Sequence, residues 1–153
     1  VGDTARRIVA CIAVENTIAE VYNYCSNRFD EARDFFSDLS REEVNHATIL
    51  EVAGGYESAG KLPKDIVPVN LPNIFATLDF IVGVYDKVKG KDVSLKDALD
   101  LALAMENSKV ESYLMETLTK DTDDKVIHNL RKLLLDERSH IEKIQEFIQQ
   151  RGL

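Results

Sequence analysis

The chain has 153 residues, 44% of them apolar and 30% charged, enough to bury one core and too apolar for a disordered tail. Its 27 acidic residues against 19 basic ones leave a net charge of −8. That balance excludes a general nucleic-acid binder, because little would neutralise phosphates, and it argues against docking on anionic lipid.

Four long segments carry helical period. The first, over about 4–27, places Ile8, Cys11, Glu15, Ile18, Tyr22 and Cys25 at alternating steps of three and four. The second, over about 31–56, repeats the rhythm with Phe36, Leu39, Glu43, His46, Leu50 and Ala53 and is expected to stop at Gly54-Gly55. The connection that follows, about 59–93, holds Pro63, Pro68 and Pro72. A shorter helix is expected within it over 73–89, on Ile74, Leu78, Ile81, Tyr85 and Val88. Phe75, Phe80 and Val82 make that helix apolar nearly all round, which predicts burial in the fold or in an interface. The third long helix starts near Ser94, a good N-cap with Asp97 three residues on, and carries Leu99, Leu103, Glu106, Val110 and Tyr113. The fourth follows Asp121-Thr122-Asp123-Asp124, read as a helix cap, and runs as one helix through Leu130, Leu134, Glu137, Ile141, Ile144 and Ile148 to Arg151-Gly152.

These elements predict one all-α domain over 1–153. Hairpin 1 (about 4–58) and hairpin 2 (about 94–151) would form an antiparallel four-helix bundle joined by a long crossover. The hairpins are repeat-related. Ala13, Glu15, Asn16, Glu20 and Tyr22 recur as Ala104, Glu106, Asn107, Glu111 and Tyr113, and the pair Glu43 and His46 recurs as Glu137 and His140.

The charges inside the apolar stripes carry the chemistry. Glu15, Glu43, Glu106, Glu137, His46 and His140 all occupy core positions. Buried carboxylates are costly unless paired, and the stripes around them offer no Lys or Arg apart from Lys109 at a flank. Glu15 and Glu43 are centred on the first turn and Glu106 and Glu137 on the second, so each pair is level across its hairpin. In each Glu-x-x-His the two side chains leave the helix on one side. One such motif is weak, whereas two arise by chance in roughly 2 chains in 100 of this composition. Four Glu and two His converging mid-bundle are the donor set of a dinuclear carboxylate centre, and four carboxylates balance two divalent ions. Mixed carboxylate and imidazole donors favour iron or manganese, with zinc possible. Tyr22 and Tyr113, seven residues after Glu15 and Glu106, share that face and could hydrogen-bond a ligating carboxylate.

Other candidates read as structural. His128 follows Lys125 rather than a carboxylate and is expected at the surface or boundary. Glu20 and Glu111 point about 140° from the ligand face, toward solvent or an interface. Cys11 and Cys25, about 21 Å apart along one helix, are beyond disulfide reach and read as core filler. Free thiols suit a reducing cytoplasm. No run of 18 apolar residues predicts a membrane span. No signal peptide is legible, and a first residue of Val1 leaves a preceding segment open.

The stretches 13–22, 43–46, 94–113 and 137–140 resemble the ferritin-like superfamily, most closely its rubrerythrin-type di-iron domain. The run Ser94-Leu95-Lys96-Asp97-Ala98-Leu99 through Glu106 is especially similar, and the likeness covers nearly the whole chain outside 57–93. It implies a left-handed four-helix bundle, two iron ions bridged by carboxylates, a homodimer, and reduction of hydrogen peroxide or dioxygen. Glu15, Glu43, His46, Glu106, Glu137 and His140 carry over as ligands. The chain departs from that family at Leu103 and Lys109, where a further carboxylate would stand, leaving a six-ligand set similar to that of bacterioferritin. Val44 stands where bacterioferritin would have a haem-ligating Met. No Cys-x-x-Cys knuckle of a rubredoxin module is present, so electrons would come from another protein. The alternatives are iron oxidation and storage, or a structural or regulatory bundle held together by its metals.

Overall fold

The computed structural model describes residues 2–64, 66–67, 69–108, 116–136 and 138–153. Among them the fold is all-α, with no strand, and no helix is long and apolar enough to cross a membrane. The helices are α1 (Asp3–Arg28), α2 (Arg33–Ser58), α3 (Leu71–Val88), α4 (Leu95–Glu106), α5 (Lys125–Arg131) and α6 (His140–Arg151).

Helices α1 and α2 form the principal hairpin, turning through a single 3-10 turn at Asp30–Ala32. Their stripes interlock along the hairpin, burying Ile8, Val14, Ile18, Phe36, Leu39, Ile49 and Leu50. Ser40 Oγ adds a hydrogen bond to the Ala19 carbonyl at 2.8 Å. Helix α3 packs along α1 and touches α4, while α4 packs on α6 and α5 on α2. Arg28, at the end of α1, ties this layer down. Its guanidinium donates to the carbonyls of Val88, Lys91 and Val93 at 2.6, 3.2 and 3.0 Å, which are the last residue of α3 and the turn into α4.

Local chemistry accounts for the helix starts. Asn70 caps α3 with Pro72 in its first turn, and Ser94 and Asp97 form a reciprocal capping box on α4. Asp124 caps α5 through the Val126 and Ile127 amides, so that polar turn is a helix cap. Gly152 ends α6 at φ 66°, where a side chain would be strained.

Three expectations are corrected. Helix α2 does not stop at Gly54-Gly55. It continues to Ser58, and the left-handed turn falls at Gly60, φ 67°. The third helix ends at Glu106, because Asn107 turns its own side-chain amide onto the Leu103 carbonyl and the Ser108 amide closes a tighter turn on Met105. The fourth segment is two helices. After Arg131 the amides of Leu133 and Leu134 fold back on Leu130 and Arg131. Asn45 of α2 then captures the Leu133 carbonyl and the Leu135 amide at 3.0 and 3.2 Å, and the Arg138 amide turns onto Asp136 Oδ1. The apolar far side of α3, with Phe75, Phe80 and Val82, is exposed on this chain, so of the two expected places of burial only an interface remains.

Arg28→Ala removes three charge-assisted bonds at once. It is expected to lower the unfolding free energy by about 2 kcal/mol in urea denaturation followed by circular dichroism. An unchanged midpoint would mean that the α3–α4 turn is not held from α1.

Candidate metal centre

Each donor is aimed by its helix. Glu15 leaves α1 between Cys11 and Ile18 on the buried stripe. Glu43 and His46 leave α2 on one side, being three residues apart. Glu106 is the last residue of α4, and His140 is the first of α6. All five are buried, with Glu15 at 1% exposure and Glu43 at 0%.

Two groups result, Glu15–Glu43–His46 and Glu43–Glu106–His140, each with one donor atom per residue and all three within 4.8 Å of one another. Glu43 belongs to both. Its Oε2 lies 3.3 Å from His46 Nδ1 and its Oε1 lies 2.7 Å from His140 Nδ1. Glu15 Oε2 is 3.9 Å from His46 Nδ1, and Glu106 Oε1 is 3.3 Å from His140 Nδ1. The imidazoles stack, with centroids 5.3 Å apart and planes 19° from parallel.

These spacings suit shared coordination. Two donors about 2.1 Å from one ion and at right angles are about 3.0 Å apart. The polar accounting agrees. Among the described residues no hydrogen bond is made by Glu15 Oε2, by either oxygen of Glu43, or by His46 Nδ1, although all are buried. Buried oxygens left in that state are expensive unless a cation completes them. The titration behaviour has the same origin. Burial first, then the charge of Glu43, holds the Glu15 carboxyl well above its ordinary range. Burial first, then Glu106, raises Glu43. Burial pushes His46 below the usual imidazole value, which favours the neutral form that ligates metal.

The outer faces of the donors are held by hydrogen bonds. Tyr22, fully buried on α1, donates its phenol proton to Glu106 Oε1 on α4. His140 Nε2 lies 2.8 Å from Glu42 Oε2, so the Nε2–H tautomer would donate to Glu42 and leave Nδ1 facing Glu43 and Glu106. Burial raises the Glu42 carboxyl, but the bonds from His140 and Lys143 outweigh it and hold the group below its ordinary value.

Glu42 and Lys143 are the residues that sequence reasoning missed. Lys143 is buried and contacts Glu42 at 2.5 Å, so a lysine does stand near the centre, contrary to the expectation from the stripes. The signal was there in weak form. Glu42 falls three residues after Leu39, and Lys143 falls between His140 and Ile144 on an inward face. The remaining candidates divide simply. Glu137, Tyr113, Lys109, Val110 and Glu111 lie outside the described residues. Glu20 is exposed, as is His128, whose Nε2 meets the Thr122 carbonyl. Cys11 and Cys25 are buried thiols that burial pushes up to about 12, too protonated to act as nucleophiles.

The arrangement can hold a metal ion in each group, with Glu43 positioned to bridge. Comparison with protein-family models, curated proteins and solved structures returns no match.

The raised carboxyls set a pH dependence for the metal-free protein. Glu15 and Glu43 bind protons more tightly folded than unfolded, so their contribution is complete below about pH 4.5 and is lost as pH rises through their elevated folded range. His46 acts oppositely, losing its contribution as pH falls below about 6.5. Glu15→Gln is therefore expected to stabilise the chelator-treated chain by about 1–3 kcal/mol at mildly alkaline pH, measured by urea denaturation. A destabilised variant would contradict the burial of that carboxylate without a partner.

Proposed function

We propose that this chain is a non-haem di-iron oxidoreductase of the rubrerythrin type, one that reduces hydrogen peroxide or dioxygen. The observation that carries the proposal is Glu43, buried with no hydrogen bond on either oxygen among the described residues and turned at once toward His46 and His140. In this reading α1, α2, α4 and α6 supply a ferritin-like four-helix bundle, and Glu137 completes the six ligands with Glu15, Glu43, His46, Glu106 and His140. Manganese or zinc would fit the same donors less specifically. The two iron ions, when bound and reduced, supply both electrons of a peroxide reduction together, which avoids releasing a one-electron radical.

The chain's own residues do the rest. Glu43 would serve both metal positions, with Glu15 and His46 holding one ion and Glu106 and His140 the other. Tyr22 holds Glu106 by one oxygen, so that carboxylate keeps a set orientation. The apolar walls, among them Ile18, Phe36, Leu39 and Leu99, exclude bulk water and keep the local dielectric low. Electrons would come from an external donor protein. A homodimer in the cytoplasm completes the proposal.

Anaerobic loading with ferrous iron should give two metals per chain by elemental analysis. Glu43→Gln should abolish both, because both positions share it, whereas Glu15→Gln should retain the one built on Glu106 and His140. Rapid mixing of the loaded protein with peroxide should oxidise it faster than free ferrous ion. A Glu43→Gln variant that keeps two metals, or a loaded protein no faster than free iron, would overturn the assignment.

A further inference from the structure

On the Nε2 side of His140, between α2 and α6, lies a cavity of about 380 Å³ whose wall includes Glu42, Asp136 and Lys143. Lys143 is only 9% exposed, and a buried ammonium is costly unless paired. It is paired twice, at 2.5 Å from Glu42 Oε2 and 3.0 Å from Asp136 Oδ2. The same Glu42 oxygen that meets the ammonium also lies 2.8 Å from His140 Nε2. One oxygen thus joins a clamped cation to the imidazole of the centre. His46 has no such device, since among the described residues nothing hydrogen-bonds its Nε2.

We propose that Lys143 is a positioning residue for the His140 half of the centre: anchored by Asp136, it holds Glu42 where that carboxylate accepts a hydrogen bond from Nε2–H and leaves Nδ1 to face Glu43 and Glu106. The alternative to this arrangement is close at hand. Arg41 and Arg138 line the same cavity and would draw an unclamped Glu42 away from the ring. The imidazole proton would then be free to move to Nδ1, the nitrogen that faces the carboxylates. There it donates to them and no longer offers a lone pair to a cation. The clamp therefore acts on a choice between tautomers, not on packing. It rests on the dinuclear reading only for what Nδ1 is used for.

The test uses the full chain, 15N-labelled and metal-free, above the imidazole titration range. Nitrogen chemical shifts there distinguish the Nε2–H from the Nδ1–H tautomer for each histidine. Wild type should hold His140 as Nε2–H. Lys143→Met should shift His140 toward Nδ1–H and leave His46 unmoved, and Lys143→Arg should restore the wild-type shifts. In a zinc titration Lys143→Met should weaken one of two equivalents by about 10- to 100-fold and spare the other. Asp136→Asn, which loosens the clamp without emptying the site, should move both readouts the same way by less, and it decides the matter if Lys143→Met does not fold. Retention of the Nε2–H tautomer with unchanged zinc binding in these variants would overturn the proposal. A wild type that binds no zinc or iron would defeat the dinuclear reading instead, and the tautomer measurement would still decide the role of Lys143.

Discussion

A buried carboxylate that makes no hydrogen bond among the described residues and has two imidazoles beside it is the constraint on which this molecule turns. Glu43 is fully buried in the middle of α2, where the apolar stripe requires a hydrocarbon side chain. Its neighbour Glu106 adds negative charge rather than relieving it. Burying such a cluster opposes folding by several kcal/mol unless the charge is matched. The surrounding packing supplies the energy to hold it. The α1–α2 hairpin is long, continuous and interlocked, so Glu15, Glu43 and His46 are held mid-helix on a rigid frame.

The other half of the cluster is built differently. Glu106 ends α4 and His140 begins α6, so both donors stand at helix termini. The C-terminus of α4 directs its partial negative charge toward the same region, which increases the demand for a cation there. Orientation at these termini depends on side chains from elsewhere. Tyr22 crosses from α1 to hold Glu106, and Glu42 crosses from α2 to hold His140. The α1–α2 hairpin thus reaches both terminal donors with side chains of its own, Tyr22 to Glu106 and Glu42 to His140.

The polar atoms in this region fall into two kinds. Those facing outward are satisfied: Glu42, Lys143 and Asp136 form a continuous chain of short contacts ending at a solvent-lined cavity. Those facing inward, on Glu15, Glu43 and His46, make no hydrogen bond among the described residues. Native interiors seldom leave such atoms unmet. The outer layer is satisfied within the protein, and the inner atoms are the ones that could hold a metal ion.

Much of this was legible in the sequence, for a definable reason. Helical period reports which residues share a face, and a charge inside an apolar stripe is visible by eye. That was enough to bring Glu15, Glu43, His46, Glu106 and His140 together, to place caps at Ser94 and within 121–124, and to assign an all-helical fold. Period cannot report competition for backbone groups by residues distant in the chain. The stripe through Leu134 and Glu137 reads as one helix, yet Asn45, some ninety residues earlier, takes the Leu133 carbonyl and the Leu135 amide. The break after Glu106 was local, but it depended on which carbonyl the Asn107 side chain would choose. Glu42 and Lys143 were hidden because their value lies in each other. Each alone is an ordinary charged residue at the margin of a stripe, and only the approach of α6 to α2 makes them a pair beside His140. The sequence by itself thus determined which charges must be buried, because burial follows from period. Tertiary structure alone decided which of them meet, because that depends on contacts between helices that no single stretch of chain encodes.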